Sequence, residues 1–241
     1  MDIGKAFGFV FEDEDWVTKI LLGAAIMLIP VFGAFALAGY AIAVIRNVLV
    51  GSPRPLPAWE DLGKLFVDGL LFWVANMIYT LPVWIFVCPI FFVWVLPLLA
   101  SEAENLMVIL AGVAGLLSLG AGCLAMLYGI VVALLTPALQ IRYAETGELG
   151  ACLHIGEIVR FTLDNISSII IAMLLVWAAS AVLTTVVSSI IGVVSLVPIC
   201  GQIIALVLGM LMLPVTTWMA LFAAHLYGQI GHQAGVLPLG A

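Results

Sequence analysis

Charged side chains are scarce in this sequence of 241 residues, of which Asp, Glu, Lys and Arg make up 9%. A soluble globular domain is about 25% charged, so the chain lacks the polar surface that such a domain exposes to water. The net charge of −7 also leaves no basic face of the kind that binds nucleic acid. The shortage of charge therefore excludes a soluble domain and disfavours a nucleic-acid-binding protein.

Sequence motifs for catalysis and metal binding are missing as well. The chain has no Gly-x-Ser-x-Gly, no His-Glu-x-x-His and no phosphate-binding loop. Its four cysteines form no Cys-x-x-Cys pair, and three of them lie in apolar runs, where cysteine packs as a small hydrophobic residue. The three histidines, His154, His225 and His232, have no carboxylate motif beside them. We therefore expect no enzyme activity, no cofactor and no metal site.

Long apolar runs are what the chain does contain, since 65% of its residues are hydrophobic and the mean hydropathy is +1.31. Several runs exceed the roughly 20 residues that an α-helix needs to cross about 30 Å of hydrocarbon. The runs are continuous rather than alternating, which excludes the strands of a membrane β-barrel. The sequence predicts an all-α, polytopic membrane protein with a single membrane domain and about five long transmembrane helices, some of them kinked.

Polar breaks and prolines set the expected boundaries of the spans. An interfacial N-terminal segment over residues 1–16 combines aromatic residues with an acidic run and ends at Trp16. The first span is expected over about 17–45, with a kink at Pro30. The other expected spans are 69–100, kinked or broken by its prolines, 106–140, 165–197 and 203–227.

A polar segment interrupts the apolar runs at residues 46–68, and a fainter copy follows at 142–164. Most of the rare charges in the first segment have a counterpart in the second. The duplication predicts two repeats, 17–100 and 106–197, followed by one further transmembrane helix. Because each repeat holds two crossings, the two copies have the same orientation. The matched positions are Arg46 with Arg142, Gly51 with Gly147, Asp61 with Glu157, Lys64 with Arg160, and Asp68 with Asp164.

The distribution of basic residues predicts the orientation in the membrane. Parallel repeats place both polar segments on one side, and these segments hold five of the seven Lys and Arg residues. The positive-inside rule then places the polar segments and the C-terminus in the cytoplasm, and the acidic N-terminus outside.

Each polar segment is expected to lay a short amphipathic helix in the membrane interface. In the first copy its apolar face consists of Trp59, Leu62, Leu65 and Phe66. The segment ends carry two expected charge pairs, Arg46 with Asp68 and Arg142 with Asp164, accompanied by Lys64 and Arg160. These residues are interpreted either as structural ion pairs between helix ends or as contacts with lipid headgroups.

Small residues recur every four positions in the fourth span, at Ser180, Thr184, Ser188 and Gly192. This spacing forms a ridge along which the backbone of another membrane helix can approach closely. We therefore interpret the ridge as the best helix-packing surface in the sequence.

The run GYAIAVIRNVLVGSPRPLPAWEDLGKLFVDGL at residues 39–70 is preceded by DWVTKILLGA and followed late in the chain by HLYGQ. These stretches resemble an uncharacterised prokaryotic membrane family, the domain of unknown function 4013. The likeness covers most of the chain, and its LP-x-W-x-D-x-G-x-LF-x-DG core at 56–69 is specific. The resemblance implies a prokaryotic multi-pass protein of the inner membrane, and brings with it no established activity, cofactor or catalytic residue.

Two hypotheses about function follow from these features. The first is a non-enzymatic membrane protein, a scaffold or accessory subunit of a membrane assembly, with lipid contacts at its interfacial helices. The alternative is a transporter or channel for a small or lipidic substrate, with its path between the repeats. The lack of carboxylates at mid-membrane disfavours ion-coupled transport. The expected partners are membrane lipids and other membrane subunits or a second copy, with no nucleic acid.

Overall fold

The computed structural model describes residues 1–99, 104–197 and 200–238. These ranges form α-helices and one short 3-10 helix, Phe9–Glu12, and contain no β-strand, which confirms the predicted all-α class. The helices in chain order are α1 Ile3–Gly8, α2 Trp16–Met27, α3 Phe32–Leu49, α4 Leu62–Leu99, α5 Glu104–Thr146, α6 Leu149–Cys152, α7 Ile155–Asp164, α8 Ile166–Val194 and α9 Cys200–Gln233.

Five of these helices, α3, α4, α5, α8 and α9, are long and apolar enough to cross a membrane. The longest are α4 with 38 residues and α5 with 43, which span about 57 and 65 Å at 1.5 Å per residue. Both exceed the roughly 30 Å of hydrocarbon in a bilayer. Helix α4 is not broken at Pro82 or Pro89, because the long helices of membrane proteins tolerate proline.

The expected first span over 17–45 is wrong, because the chain reverses direction between α2 and α3. Pro30 accepts a hydrogen bond from the Phe32 N–H at 2.7 Å, so Val31 lies at the centre of a γ-turn with φ 66°. A positive φ is rare for a β-branched residue and carries backbone strain. Gly33 then lies so close to α2 that a Cβ would overlap the carbonyl of Ile26. Helices α2 and α3 therefore form an antiparallel hairpin.

Contacts divide the chain into two compact units, residues 1–73 with 137–241, and residues 74–136. The unit 74–136 pairs the later part of α4 with most of α5 in an antiparallel arrangement. Neither unit coincides with a predicted repeat, and the repeats stay a prediction. Three hydrogen bonds join the two helices of this unit: Trp94 Nε1 to Ser118 Oγ at 2.9 Å, Tyr128 Oη to the Tyr79 carbonyl at 3.1 Å, and Thr136 Oγ1 to Asn76 Oδ1 at 3.4 Å.

In the unit made of residues 1–73 and 137–241, the buried core lies toward one end of the long helices. The buried residues of α9 lie between Thr217 and Gly231, apart from Gly201, and α8 buries Ile169 and Ala172. The remaining lengths of α8 and α9 expose large apolar side chains. A soluble protein does not leave so large an apolar area uncovered, whereas the lipid chains of a membrane can cover this area.

The expected interfacial helix over residues 58–68 is wrong. Residues 58–61 are not helical, and Leu62 begins α4 itself, which continues into the long apolar stretch. The predicted apolar face packs inside the protein: Leu65 is buried, and the Phe66 ring stacks on Phe32 with centroids 4.9 Å apart. The second copy does form a separate amphipathic helix, α7, which buries Ile158 and Thr162 and is followed by a break at Asn165.

Candidate functional site

The functional candidates of the sequence gather where the buried core lies, and we call this region the polar end. It comprises the N-terminal segment 1–20, the polar segments 46–68 and 142–164, and the last turns of α9. All of these residues belong to the unit formed by 1–73 and 137–241.

Arg46 and Asp68 lie together at the polar end, with Arg46 Nη1 3.8 Å from Asp68 Oδ2. Two further contacts come from α5: Arg46 Nε donates to the Ala144 carbonyl at 3.1 Å, and Tyr143 Oη donates to Asp68 Oδ1 at 3.2 Å. Tyr143 is fully buried. The cluster therefore ties the end of α3, the first turns of α4 and the last turns of α5 to one another.

The expected pair of Arg142 with Asp164 is wrong. Arg142 binds two other carboxylates, Glu145 at 2.8 Å and Glu157 at 2.7 Å, and the second contact holds α7 against α5. Asp164 instead lies 3.8 Å from Arg160, and the side chains of that pair are 68% and 85% exposed. Solvent-exposed pairs of this kind contribute little stability. Glu157 lies in the first turn of α7 and Asp164 at its end, so Asp164 lies about 10 Å further along the helix than the carboxylate that Arg142 binds.

Lys64 and Arg160, the other basic residues of the two predicted sites, are both exposed. They lie on the first turns of α4 and on α7. In the parts of the chain that the structure describes, no salt bridge to a carboxylate is recorded for Lys64, so this side chain is open to solvent or to a headgroup.

Trp59 closes the loop between α3 and α4 rather than lying on a helix. Its ring stacks on Tyr40 with centroids 4.0 Å apart, and its Nε1 donates to the Lys19 carbonyl at 3.0 Å. Tyr40 Oη and Asn47 Nδ2 donate to the carbonyls of Pro57 and Pro55 at 2.7 and 2.9 Å. The proline-rich loop is thus fixed by side chains that pair with its backbone carbonyls.

The N-terminal segment lies against the end of α9. The Asp2 N–H donates to Gln229 Oε1 at 2.6 Å, and Gln229 Nε2 donates back to the Asp2 carbonyl at 2.9 Å. Arg54 in the first polar segment pairs with Glu14 at 2.9 Å. The N-terminal segment and the last turns of α9 therefore lie at the same end of the helices, and the side of the membrane on which each terminus lies stays a prediction. The reversal between α2 and α3 is the cause, because it returns the N-terminal segment to the side where α3 ends.

Asp13 anchors the same segment. Its carboxylate binds Lys19 Nζ at 2.7 Å and accepts the Asp15 N–H at 2.9 Å. Burial tends to raise the pKa of Asp13, but these hydrogen bonds, together with the charges of Lys19 and Arg54, outweigh burial and lower that pKa below its usual value.

Two of the three histidines lie together. His225 and His232 both line an open cavity of about 550 Å³ between α1, the end of α3 and α9. His225 is buried, stacks on Phe9 and binds Gln229, while His232 Nδ1 lies 2.9 Å from the Leu49 carbonyl and therefore donates its proton to it. His154 lies elsewhere, immediately before α7. Among the described residues no cluster of three or more metal-binding side chains occurs.

The small-residue ridge of α8 is not used for packing between the described helices of this chain. Ser180 is half-buried, whereas Thr184, Ser188 and Gly192 are exposed. A Cβ built on Gly192 meets no atom of the described residues within 4 Å. Helix α8 instead contacts α9, and its partly buried Leu183 lines a hollow together with Pro214 and Trp218 of α9.

Sequence reasoning missed several residues that complete the polar end. Tyr143, Glu145 and Gln229 each bind a residue or segment that had been singled out from the sequence. Asp13 belongs to the acidic run of the N-terminal segment and was not singled out. Tyr143 and Glu145 flank Arg142 within one helical turn, so their position beside a rare charge was the available signal. Gln229 gave no signal, because its partner is 227 positions away in sequence.

The chain has five long apolar helices, and charged residues join three of them, α3, α4 and α5, at one end. These features define a multi-pass helical membrane protein. The chain belongs to the family of proteins of unknown function DUF4013, whose model matches residues 22–193. This match confirms the resemblance carried by residues 39–70. It covers both polar segments and ends before α9. No curated protein and no solved structure matches the chain.

Proposed function

We propose that the protein is a non-enzymatic scaffold or accessory subunit of a membrane assembly, and that a partner helix packs on α8. The exposed ridge of Thr184, Ser188 and Gly192 carries this proposal. Small residues allow helix backbones to approach closely, and close packing drives helix association in lipid. Because α9 contacts a different face of α8, a helix of another subunit or of a second copy can reach the ridge.

The chemistry of the polar end supports an architectural role. Arg46, Asp68, Arg142 and Lys19 each bind a group on another element or turn of the chain. Side chains held in this way stabilise the arrangement of helices, and they are already paired before any substrate arrives. Of the basic residues in the two predicted charge sites, Lys64 and Arg160 are exposed and would be available to lipid headgroups.

Matched substitutions on α8 test the scaffold. Leucine at Thr184 and Ser188 should fill the ridge and weaken association about tenfold, the scale of 1–2 kcal/mol for contacts between membrane helices. Thr185→Leu with Ser189→Leu is the control, since it makes the same changes on exposed residues one position further round α8. Association is measured by crosslinking in native membranes and by co-purification in mild detergent. Equal association of the two double variants, or a wild-type protein that is always a lone protomer, would contradict the proposal.

We also propose that the membrane is the prokaryotic inner membrane and that the polar end faces the cytoplasm. Docking of the N-terminal segment brings Lys5 and Lys19 to the polar end. All seven basic residues of the chain therefore lie there, rather than the five in the polar segments alone. The positive-inside rule depends on Lys and Arg rather than on net charge, so the acidic residues nearby do not weaken it.

One feature of the backbone, a glycine with positive φ in each polar segment, supports the proposed duplication. Gly51 follows α3 with φ 70°, and Gly147 follows α5 with φ 69°. A left-handed residue after a helix favours glycine, and these two glycines occupy matched positions in the predicted repeats. The first helix of the duplicated unit would then be followed by a left-handed glycine in both copies.

Transport is the second candidate function, and the open cavity of about 550 Å³ favours it. The cavity is lined by polar groups, including Lys5, Gln229 and His232, and would serve as a vestibule for a small solute. Flux in proteoliposomes that His232→Ala removes and Asp164→Asn leaves unchanged would establish transport. A scaffold shows no such flux with either variant.

A further inference from the structure

The α2–α3 hairpin is too short to reach across a membrane from the polar end. Trp59 marks the same level on both helices, because its ring stacks on Tyr40 of α3 and its Nε1 donates to the Lys19 carbonyl of α2. From this level to the turn, α2 continues for about eight residues to Met27, and α3 covers the same number from Phe32. Eight residues of helix span about 12 Å, which is less than half of the roughly 30 Å of hydrocarbon in a bilayer.

Charged residues place the edge of the hydrocarbon near the level of Trp59. Lys19 forms its ion pair with Asp13 there, and Glu60, the neighbour of Trp59 in the chain, is exposed and requires water. Tryptophan itself is enriched at the boundary between membrane and water. Toward the turn the chain is apolar, since no residue from 20 to 40 is charged.

Helix α9 runs beside α3 in the same direction and continues past the turn. A Cβ on Gly228 would meet Val48, and His232 binds the Leu49 carbonyl, so neighbouring residues of the two helices differ by about 180 positions. The turn then lies level with about position 212, and α9 begins about 12 residues further from the polar end. Those residues span about 18 Å. Together with the hairpin they equal one thickness of hydrocarbon.

The turn pairs most of its own backbone N–H groups, as hydrocarbon requires. Four of them donate to carbonyls of the hairpin at 2.7–3.1 Å, those of Leu28, Ile29, Phe32 and Gly33. Pro30 has no N–H to pair. One of the four bonds closes the γ-turn and holds Val31 at a strained φ of 66°, whereas a loop in water can leave such an N–H to solvent. The tip, residues 28–32, also exposes apolar side chains, with Val31 69% exposed.

We propose that the α2–α3 hairpin is re-entrant: it enters the membrane from the polar end, turns near the middle of the bilayer and leaves on the same side. The partner of the tip is then the lipid hydrocarbon of one leaflet. Helices α8 and α9 cross the membrane, whereas residues 40–49 of α3 lie in the buried core of the polar end. The inference depends neither on the scaffold function nor on the side that the polar end faces.

Single cysteines test the depth of the tip, in the full chain with alanine at the exposed native cysteines. Ile29→Cys probes the tip, and Leu28→Cys is a second tip position in case the first variant does not fold. Glu60→Cys is the control at the level of Trp59, and Leu196→Cys is the control just past the far end of α8, since both residues are exposed. A membrane-impermeant maleimide applied to each side of sealed membrane vesicles measures access from water. Nitroxides on the same cysteines, in reconstituted phosphatidylcholine bilayers, measure collision with oxygen and with a water-soluble nickel complex.

The two control cysteines should react with the maleimide from opposite sides, and the tip cysteine from neither side until detergent is added. The nitroxide at the tip should lie about 12 Å below the edge of the hydrocarbon and collide with oxygen rather than with nickel. Labelling of the tip from the side of Leu196→Cys would show that the hairpin crosses, and access of nickel would place the tip in water. Low access of both oxygen and nickel would show that protein covers the tip, and labelling of both controls from one side would show that α8 does not cross. Each of these four results would overturn the proposal.

Discussion

At the polar end, the contribution of an ion pair to stability depends on how deeply the pair is buried rather than on the distance between its charges. Arg46 and Arg160 each lie 3.8 Å from an aspartate, but Arg46 is 28% exposed and Arg160 85% exposed. Asp68 is buried more deeply than Asp164 and shares its charge between an arginine and a tyrosine. The same substitution at the two arginines therefore separates a structural pair from a solvated one.

Arg46→Met should destabilise the protein by about 1–3 kcal/mol, because it leaves a largely buried carboxylate with one neutral donor. Arg160→Met should change the free energy of unfolding by less than about 0.5 kcal/mol, since surface pairs contribute little. Denaturant unfolding in detergent micelles, followed by circular dichroism, measures both changes. Equal effects of the two variants would show that the cluster around Asp68 is no more than a surface contact.

Asp13 should make the docking of the N-terminal segment sensitive to acid. Its pKa in the folded protein is lowered from the usual 3.8, so its contribution is complete above that value and is lost as the pH falls through the lowered pKa. The protection factors of residues 1–20, which correct hydrogen exchange for its intrinsic dependence on pH, should therefore fall below about pH 4 in the wild-type protein. Asp13→Asn should exchange fast already at pH 7, with Glu12→Gln, an exposed neighbour, as the control. A flat wild-type profile would contradict this role.

At the scale of elements, α3 and α4 cross at two glycines. A Cβ on Gly39 would overlap the backbone of Leu65, and a Cβ on Gly69 would overlap the carbonyl of Phe35. Backbone atoms cannot move aside as the end of a flexible side chain can. These two positions therefore require glycine for packing.

Gly39→Ala and Gly69→Ala should each destabilise the protein by at least about 1–3 kcal/mol, the usual cost of overpacking. Gly112→Ala on α5 should do the opposite and stabilise it by about 0.5–1 kcal/mol, since a Cβ there meets no described atom within 4 Å and alanine favours a helix. Thermal unfolding in detergent measures the sign of each change. A neutral result at Gly39 would mean that the two helices separate easily.

The existence of the long helices could be predicted from sequence, because length and apolar content decide it residue by residue. The reversal at Val31 could not, since Pro30 and Gly33 are equally compatible with a kinked span. The face of Trp59, Leu62, Leu65 and Phe66 was correctly predicted to be apolar. The prediction that it lies in the membrane interface was wrong. Periodicity shows that a face will be covered, and not whether lipid or α3 covers it.

At the scale of the whole molecule, the sequence predicted which residues belong to the candidate site better than it predicted their partners. Arg46 and Asp68 could be paired from sequence because they begin and end one short polar segment. Arg142 and Asp164 occupy the matched positions, yet Arg142 binds Glu145 and Glu157, which are nearer to it along the chain than Asp164. A repeat in sequence predicts which residues are important, and the local backbone decides what each one touches.

The contact between the N-terminal segment and the end of α9 is the property of the whole molecule that the sequence did not predict. Asp2 and Gln229 are hydrogen-bonded to each other, so cysteines at these two positions should react with the same membrane-impermeant maleimide from the same side of sealed vesicles. They should also be joined by a short thiol crosslinker. Asp2→Cys with Gly192→Cys is the control and should not crosslink, because Gly192 lies near the other end of α8.

The background for this experiment needs alanine at Cys88, Cys123 and Cys200, which are exposed. Cys152 can stay, because burial raises its thiol pKa to about 11 despite the opposing charge of Arg142, and the thiolate is the reactive form. Labelling from the cytoplasmic side would place the polar end as the positive-inside rule predicts. Labelling of the two cysteines from opposite sides would show that α2 and α3 cross the membrane as one helix, and the hairpin at Val31 would be wrong.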